Sequence, residues 1–211
     1  TKDMKHKKTR NSSIELLKIL GIILIVLSHA VPIYGNKEAI SYINLNLATN
    51  DISEFILIVF RNLGQVGNIL FIMCSAYFLI DSRETKAKKI LHIIFDSFTI
   101  SVLFLVIYLL CMNNNISIKV IIKQLLPITF ENNWFIGCYI MLYIIHPFLN
   151  KIIKSTNKNQ LLKINVFLII LYCLVCSIFH RTYYYTRLVG FIVIYFIVAY
   201  NRLYLQKFNN N

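Results

Sequence analysis

Six apolar runs, separated by short charged or polar segments, constrain this chain more than any other feature. They fall at residues 14–33, 63–80, 90–112, 134–149, 164–179 and 188–205. The first holds twenty residues, about 30 Å of α-helix, which matches the hydrocarbon thickness of a bilayer. The expected fold class is therefore all-α: a polytopic transmembrane helix bundle of about six spans, with the lipid bilayer as its solvent. A content of 57% hydrophobic and only 15% charged residues, with a mean hydropathy of +0.64, fits such a bundle better than a soluble core.

A net charge of +13 would ordinarily point to nucleic acid, but the Lys and Arg sit in clusters between the apolar runs. Topology explains that placement, and no nucleic-acid partner is expected. With the spans alternating in direction, the inward segments hold 15 of the 22 basic residues. The outward segments hold six (Lys37, Arg61, Lys119, Lys123, Arg181 and Arg187), and Lys18 lies within the first run. The asymmetry places both termini in the cytoplasm. Residues 1–13 read as a basic cytoplasmic leader, 14–205 as the membrane domain and 206–211 as a polar tail. Beginning with Thr1 rather than Met, the chain reads as a trimmed or incomplete product. No cleavable signal peptide is evident, because the first run is of full length and lacks a small-residue cleavage site.

Between the spans, residues 36–62 are expected to form an outer loop, with a short interfacial helix at 52–60. The outer loop at 113–133 is expected to hold an amphipathic helix at 116–126, before Pro127. Pro147 should kink or end the fourth span, leaving 150–163 as a polar inner segment. The five cysteines lie in or at the edge of apolar runs, without the polar Cys/His context of a zinc site, so no metal is expected. Cys173 and Cys176 share a helix face as C-x-x-C, but a redox role is not favoured.

Polar residues inside the runs are the candidates for chemistry. Lys18 and His29 lie eleven residues apart, three helical turns plus about 20°, so they share a face at a separation of roughly 16 Å. Glu15 lies one turn before Lys18 on the same side. A charge at the bilayer centre costs about 2.5 to 3.5 kcal/mol on insertion scales, so such groups normally face protein or water. Two readings stay open: a site, or snorkelling of Glu15 and Lys18 with His29 bonded to a neighbouring helix. In the second run Gly64, Gly67, Ser75 and Ala76 suit close helix packing. Asp96 belongs to a polar pathway or pairs with His92. Arg61 and Glu131 line an outer groove or are solvated loop charges. His146 beside Pro147 reads as a helix-end residue, and Trp134 as an interfacial aromatic. His180, Arg181 and Arg187, with Tyr183, Tyr184 and Tyr185, bind sugar or phosphate or anchor the chain at the interface.

The first run, with Glu15, Lys18 and His29, resembles the opening of the bacterial membrane acyltransferase family 3, whose first helix carries an acid, then Arg or Lys, then His. GNILFIMCSAYFLI from Gly67 resembles the family's Ser-Gly-Tyr segment, Ser75 and Tyr77 matching and Ala76 standing for Gly. Lys86 and Lys89 occupy the two basic places of the family's R-x-x-R before its third helix. NWFIGCYIMLYIIHPFLNKII from Asn133 is similar to the family's Trp-Phe, Tyr and Pro-containing fourth helix. The likeness covers roughly residues 10 to 205. Family members usually have more helices than the six for which this chain has room. Lys at the basic places departs from the pattern, since Arg grips an anion bidentately whereas Lys offers a point charge.

This resemblance implies transfer of an acyl group, most often acetyl from acetyl-CoA, to a hydroxyl of a cell-envelope carbohydrate. Acetyl-CoA would be a co-substrate, with no bound cofactor. His29 would be the general base or be transiently acylated, Glu15 would hold Lys18, and Lys18, Lys86 and Lys89 would bind the donor. Asp96, Arg61, Ser75, Tyr77 and Trp134 are the further pathway or acceptor candidates. The expected location is the bacterial cytoplasmic membrane, with a partner chain able to supply missing helices. His29 sits about 22 Å along the helix from Ile14, in the outer part of the bilayer. A donor threaded through the bundle, or an acyl relay, would reconcile that depth with cytoplasmic CoA. The rival readings are a truncated, non-catalytic remnant and a small transporter or flippase, for which Lys18, His29 and Asp96 would line a pathway.

Overall fold

A computed structural model describes residues 12–30, 51–111, 117–126, 133–178 and 184–205. Within them every regular element is helical: α1 (Ser12–Ala30), α2 (Asp51–Leu79), α3 (Ala87–Cys111), α4 (Ile118–Leu125), α5 (Trp134–Ser155), α6 (Lys158–Ile178) and α7 (Tyr184–Tyr200), which runs into a π-helical turn at Asn201–Leu205. Five stretches among the described residues are long and apolar enough to cross a membrane: Ser12–Ala30, Ile58–Leu79, Ala87–Leu110, Trp134–Ser155 and Arg187–Leu205. The expected run at 164–179 lies in α6, a 21-residue helix outside those five, whose first turns carry Lys158, Asn159, Gln160, Lys163 and Asn165. Large apolar side chains such as Leu16, Phe104, Leu110 and Phe167 point outward. On a protein in water such a surface would drive association, whereas lipid tails are its natural neighbour.

Several boundaries differ from the sequence expectation, most of all those of α2, α5 and α6, while α7 starts at Tyr184, inside the turn expected at 180–187. α2 starts at Asp51 and absorbs both the short helix expected at 52–60 and Arg61 of the expected outer loop. No Gly or Pro interrupts 51–63, so nothing in the sequence stops the helix. α5 does not end near Leu149 but passes through Pro147 to Ser155. The polar segment at 150–163 shrinks accordingly to a tight turn at Thr156 and Asn157. There Asn157 and Gln160 cap α6 reciprocally: each backbone N–H donates to the other's side-chain oxygen, at 3.0 and 2.9 Å. The amphipathic helix expected at 116–126 is α4. Of the leader 1–13 the first eleven residues lie outside the described residues, as do Pro32, Gly35, Glu131, His180, Arg181, Tyr183 and the tail 206–211, and the side chains of Tyr184 and Tyr185 are not described.

The chain divides into two compact units, Thr1–Ser75 and Ala76–Asn211, with the boundary inside α2. In the first, α1 crosses α2 at two glycines. A Cβ at Gly67 would lie 2.5 Å from the Gly21 carbonyl oxygen and 2.9 Å from Ile25 Cγ1, so neither glycine can grow without parting the helices. In the second unit the C-terminal ends of α2, α5 and α7 meet the N-termini of α3 and α6. Asn150 donates to the carbonyls of Leu79 and Ser82, each at 2.9 Å, and accepts from the Tyr195 hydroxyl at 2.7 Å. Arg202 pairs with Asp81 at 2.5 Å and bonds the Tyr77 carbonyl. This alternation of ends is that of an up-and-down bundle. Arg83, Lys86, Lys88, Lys89, Lys151, Lys154, Lys158 and Arg202 gather at this one end.

Candidate active site

Each unit holds one group of the candidate residues. In the first unit, His29 closes α1 with its ring exposed. Its Nδ1 lies 2.8 Å from the Ile25 carbonyl oxygen, the acceptor that the Ser28 hydroxyl also uses at 2.7 Å. A carbonyl only accepts, so Nδ1 carries the hydrogen, and in the neutral ring Nε2 keeps the lone pair. Lys18 is half-buried on the same helix, its ammonium 4.8 Å from the centroid of the Phe71 ring. That cation–π contact holds a cation in an apolar span. Glu15 is also half-buried. Arg61 is exposed on α2, and Ser75 is buried with its hydroxyl unpaired among the described residues.

The second unit brings Lys86 and Lys89 together at the start of α3. Lys88 and Lys89 fall in its first turn, which contains no acidic residue. Positive charge at a helix N-terminus opposes the macrodipole, where a negative group would contribute about 0.3 to 1 kcal/mol. Such an end instead suits an anion, approached by free N–H groups and by lysines alike. Lys89 is fixed further: its ammonium lies 4.6 Å from the centroid of the Tyr143 ring. The backbone N–H of Lys86 donates to the Tyr143 hydroxyl at 3.3 Å.

The sequence alone does not single out Tyr143, and His146 is not the helix-end residue that its place beside Pro147 suggests: it lies inside α5 and is fully buried. Pro147 has no N–H for the carbonyl of Tyr143 four residues earlier. His146 supplies the missing donor from Nδ1, at 2.5 Å, and stacks on Tyr143 with ring centroids 5.1 Å apart. The Thr85 hydroxyl reaches the next carbonyl, that of Ile144, at 3.5 Å. The His146 Nε2 is buried without a partner among the described residues.

The remaining candidates are dispersed. Asp96 and His92 are both exposed, and among the described residues no hydrogen bond or ion pair joins them. Tyr77 is engaged by Arg202, whose guanidinium carbon lies 4.2 Å from its ring centroid. Trp134 is half-buried in an aromatic group with Phe135 and Phe191, and the Arg187 guanidinium carbon lies 4.4 Å from its ring centroid. Among the described residues no three His, Cys, Asp or Glu side chains gather as metal ligands.

Apolar helices with a histidine on one and a basic, aromatic-backed helix mouth on another define a polytopic membrane protein with candidate acid–base and anion-binding groups. A family model described as an acyltransferase domain matches residues 11–208, so the chain belongs to acyltransferase family 3 and is a membrane acyltransferase in general type. Neither the curated proteins nor the solved structures contain a significant match to it.

Proposed function

We propose that this protein moves an acyl group, acetyl by preference, from acyl-CoA to a hydroxyl of a cell-surface carbohydrate at the bacterial cytoplasmic membrane. The distribution of Lys and Arg along the sequence favours both termini on the cytoplasmic side, where CoA is found. The observation that carries the reading is the His29 ring, whose Nδ1–H is committed to the Ile25 carbonyl and whose Nε2 is left to accept a proton. A sugar hydroxyl is a poor nucleophile at neutral pH, and imidazole, with an unperturbed pKa near 6.5, is suited to deprotonate it.

In the proposed step Nε2 takes the hydroxyl proton as the oxygen attacks the thioester carbonyl. The C–S bond breaks, the new ester forms, and the imidazolium returns its proton to the departing thiolate. Lys86 and Lys89 hold the donor's phosphates, while Glu15 and Lys18 steady the first helix's polar face. Asp96, Arg61, Ser75, Tyr77 and Trp134 remain proposed pathway or acceptor groups. Acyl-CoA is a co-substrate in this reading, no cofactor is bound, and residues 14–205 form the membrane domain with any further helices supplied by a partner chain. The test is acetylation of surface carbohydrate by cells carrying His29→Gln, which keeps a hydrogen-bonding side chain but lacks a titratable nitrogen. Loss of transfer with normal insertion is expected, and near wild-type transfer would return His29 to a packing role.

A further inference from the structure

The donor reading leaves unexplained why two buried side chains, Tyr143 and His146, stand behind the lysines. Lys89 is exposed, and a lone lysine on a surface would sample many rotamers before meeting a phosphate. Its ammonium instead rests near the Tyr143 ring, and Tyr143 is itself almost wholly buried. The Tyr143 hydroxyl takes the backbone N–H of Lys86, one of the donors that the first turn of a helix leaves open. One aromatic residue therefore fixes both the side chain of the second lysine and the main chain of the first.

Tyr143 is fixed in turn. The His146 ring stacks on it, 29° from parallel, while the same ring holds the Tyr143 carbonyl that Pro147 leaves open. We infer that Tyr143 is a positioning residue of the donor site, setting Lys86 and Lys89 for the phosphates of CoA, and that His146 locks Tyr143 in place. This inference rests on the proposed donor role of the two lysines. Tyr143 acts through Lys89 rather than by touching the reacting atoms, so its loss weakens donor capture and leaves the chemical step alone.

The experiment uses the full chain in lipid nanodiscs, with acetyl-CoA varied at saturating acceptor. Tyr143→Phe retains the ring beneath Lys89 but loses the hydroxyl that takes the Lys86 N–H, and should raise KM for acetyl-CoA about threefold, clearly less than Tyr143→Leu. Tyr143→Leu removes the cation–π contact and should raise that KM about tenfold, with kcat nearly unchanged. His146→Leu should raise KM in the same direction, yet add little in the Tyr143→Leu background, because both changes act on one unit. Should Tyr143→Leu fail to elute as a folded species, His146→Leu alone is read in the same way. Should turnover be too slow, equilibrium binding of CoA is measured with the same variants. An unchanged KM or CoA affinity in Tyr143→Leu, alongside a clear loss in Lys89→Ala, overturns the positioning role and spares the donor reading. An equal loss in Tyr143→Phe and Tyr143→Leu also overturns the cation–π basis. If Lys89→Ala itself leaves the donor parameters untouched, the donor reading fails and this inference with it.

Discussion

Two histidines sit on helices of opposite character. His29 lies on α1, whose span is only 6% buried inside the protein, while His146 lies on α5, whose span is 44% buried. Both direct Nδ1 at a main-chain carbonyl of the preceding turn, so both keep the same tautomer. Their surroundings then part them. The Nε2 of His29 is on an exposed ring, where a substrate can arrive, whereas that of His146 is enclosed. The local bond is alike in the two, and access is what separates them.

The sharpest way to break this contrast is to remove each imidazole in turn. His29→Gln should lower transfer by about 100- to 10,000-fold, as loss of a general base does, with expression and insertion unchanged. His146→Asn should keep kcat close to wild type in the same acetylation assay. Equal losses of kcat in the two variants would erase the distinction.

The next contrast is in how the two helices are held. α1 depends on the glycine crossing, so Gly67→Leu should weaken its seat on α2 by about 1 to 3 kcal/mol, read as a lower unfolding midpoint in mild detergent. Gly64→Ala should lower the midpoint too, though by less because the added group is smaller: its Cβ would lie 2.7 Å from the Ser28 Cβ, which side-chain rotation does not move. α5 depends on polar ties instead. Asn150→Leu removes its bonds to Leu79, Ser82 and Tyr195, and at roughly 0.6 kcal/mol each should cost about 2 kcal/mol in the same assay. The smallest effect is expected from Lys154→Cys and Asn114→Cys, which should leave transfer intact. They should be labelled by an impermeant thiol reagent from opposite sides of the membrane, and labelling from one side would sink the alternation.

The spans and the glycine crossing were legible because hydropathy and small-residue spacing are local properties. Gly64 and Gly67 stand three apart in an apolar run, which is a one-face pattern any helix displays. Lys86 and Lys89 were legible through the family likeness. The groups behind them were not. Asn150 stands next to Lys151 and reads as the first residue of a loop, because the cue for its burial is a pair of carbonyls some 70 positions away. Arg202 shows in the sequence only as a topological charge, since its partner Asp81 lies 121 positions earlier in the chain. His146 looks like a terminus in the sequence because Pro147 follows it, and proline usually marks an end. The signal that could have found it is the pairing itself: a donor-bearing ring immediately before a proline inside an otherwise continuous helix.

That pairing couples the evolutionary fates of neighbouring positions. While residue 147 is proline, residue 146 must bring its own hydrogen to the vacant carbonyl, so the tolerated set there narrows to side chains that donate and still fit a sealed pocket. Replace Pro147 by an ordinary residue, and its amide fills the vacancy, the imidazole is released, and position 146 is free to drift toward a plain hydrocarbon. The two sites should therefore change together or not at all.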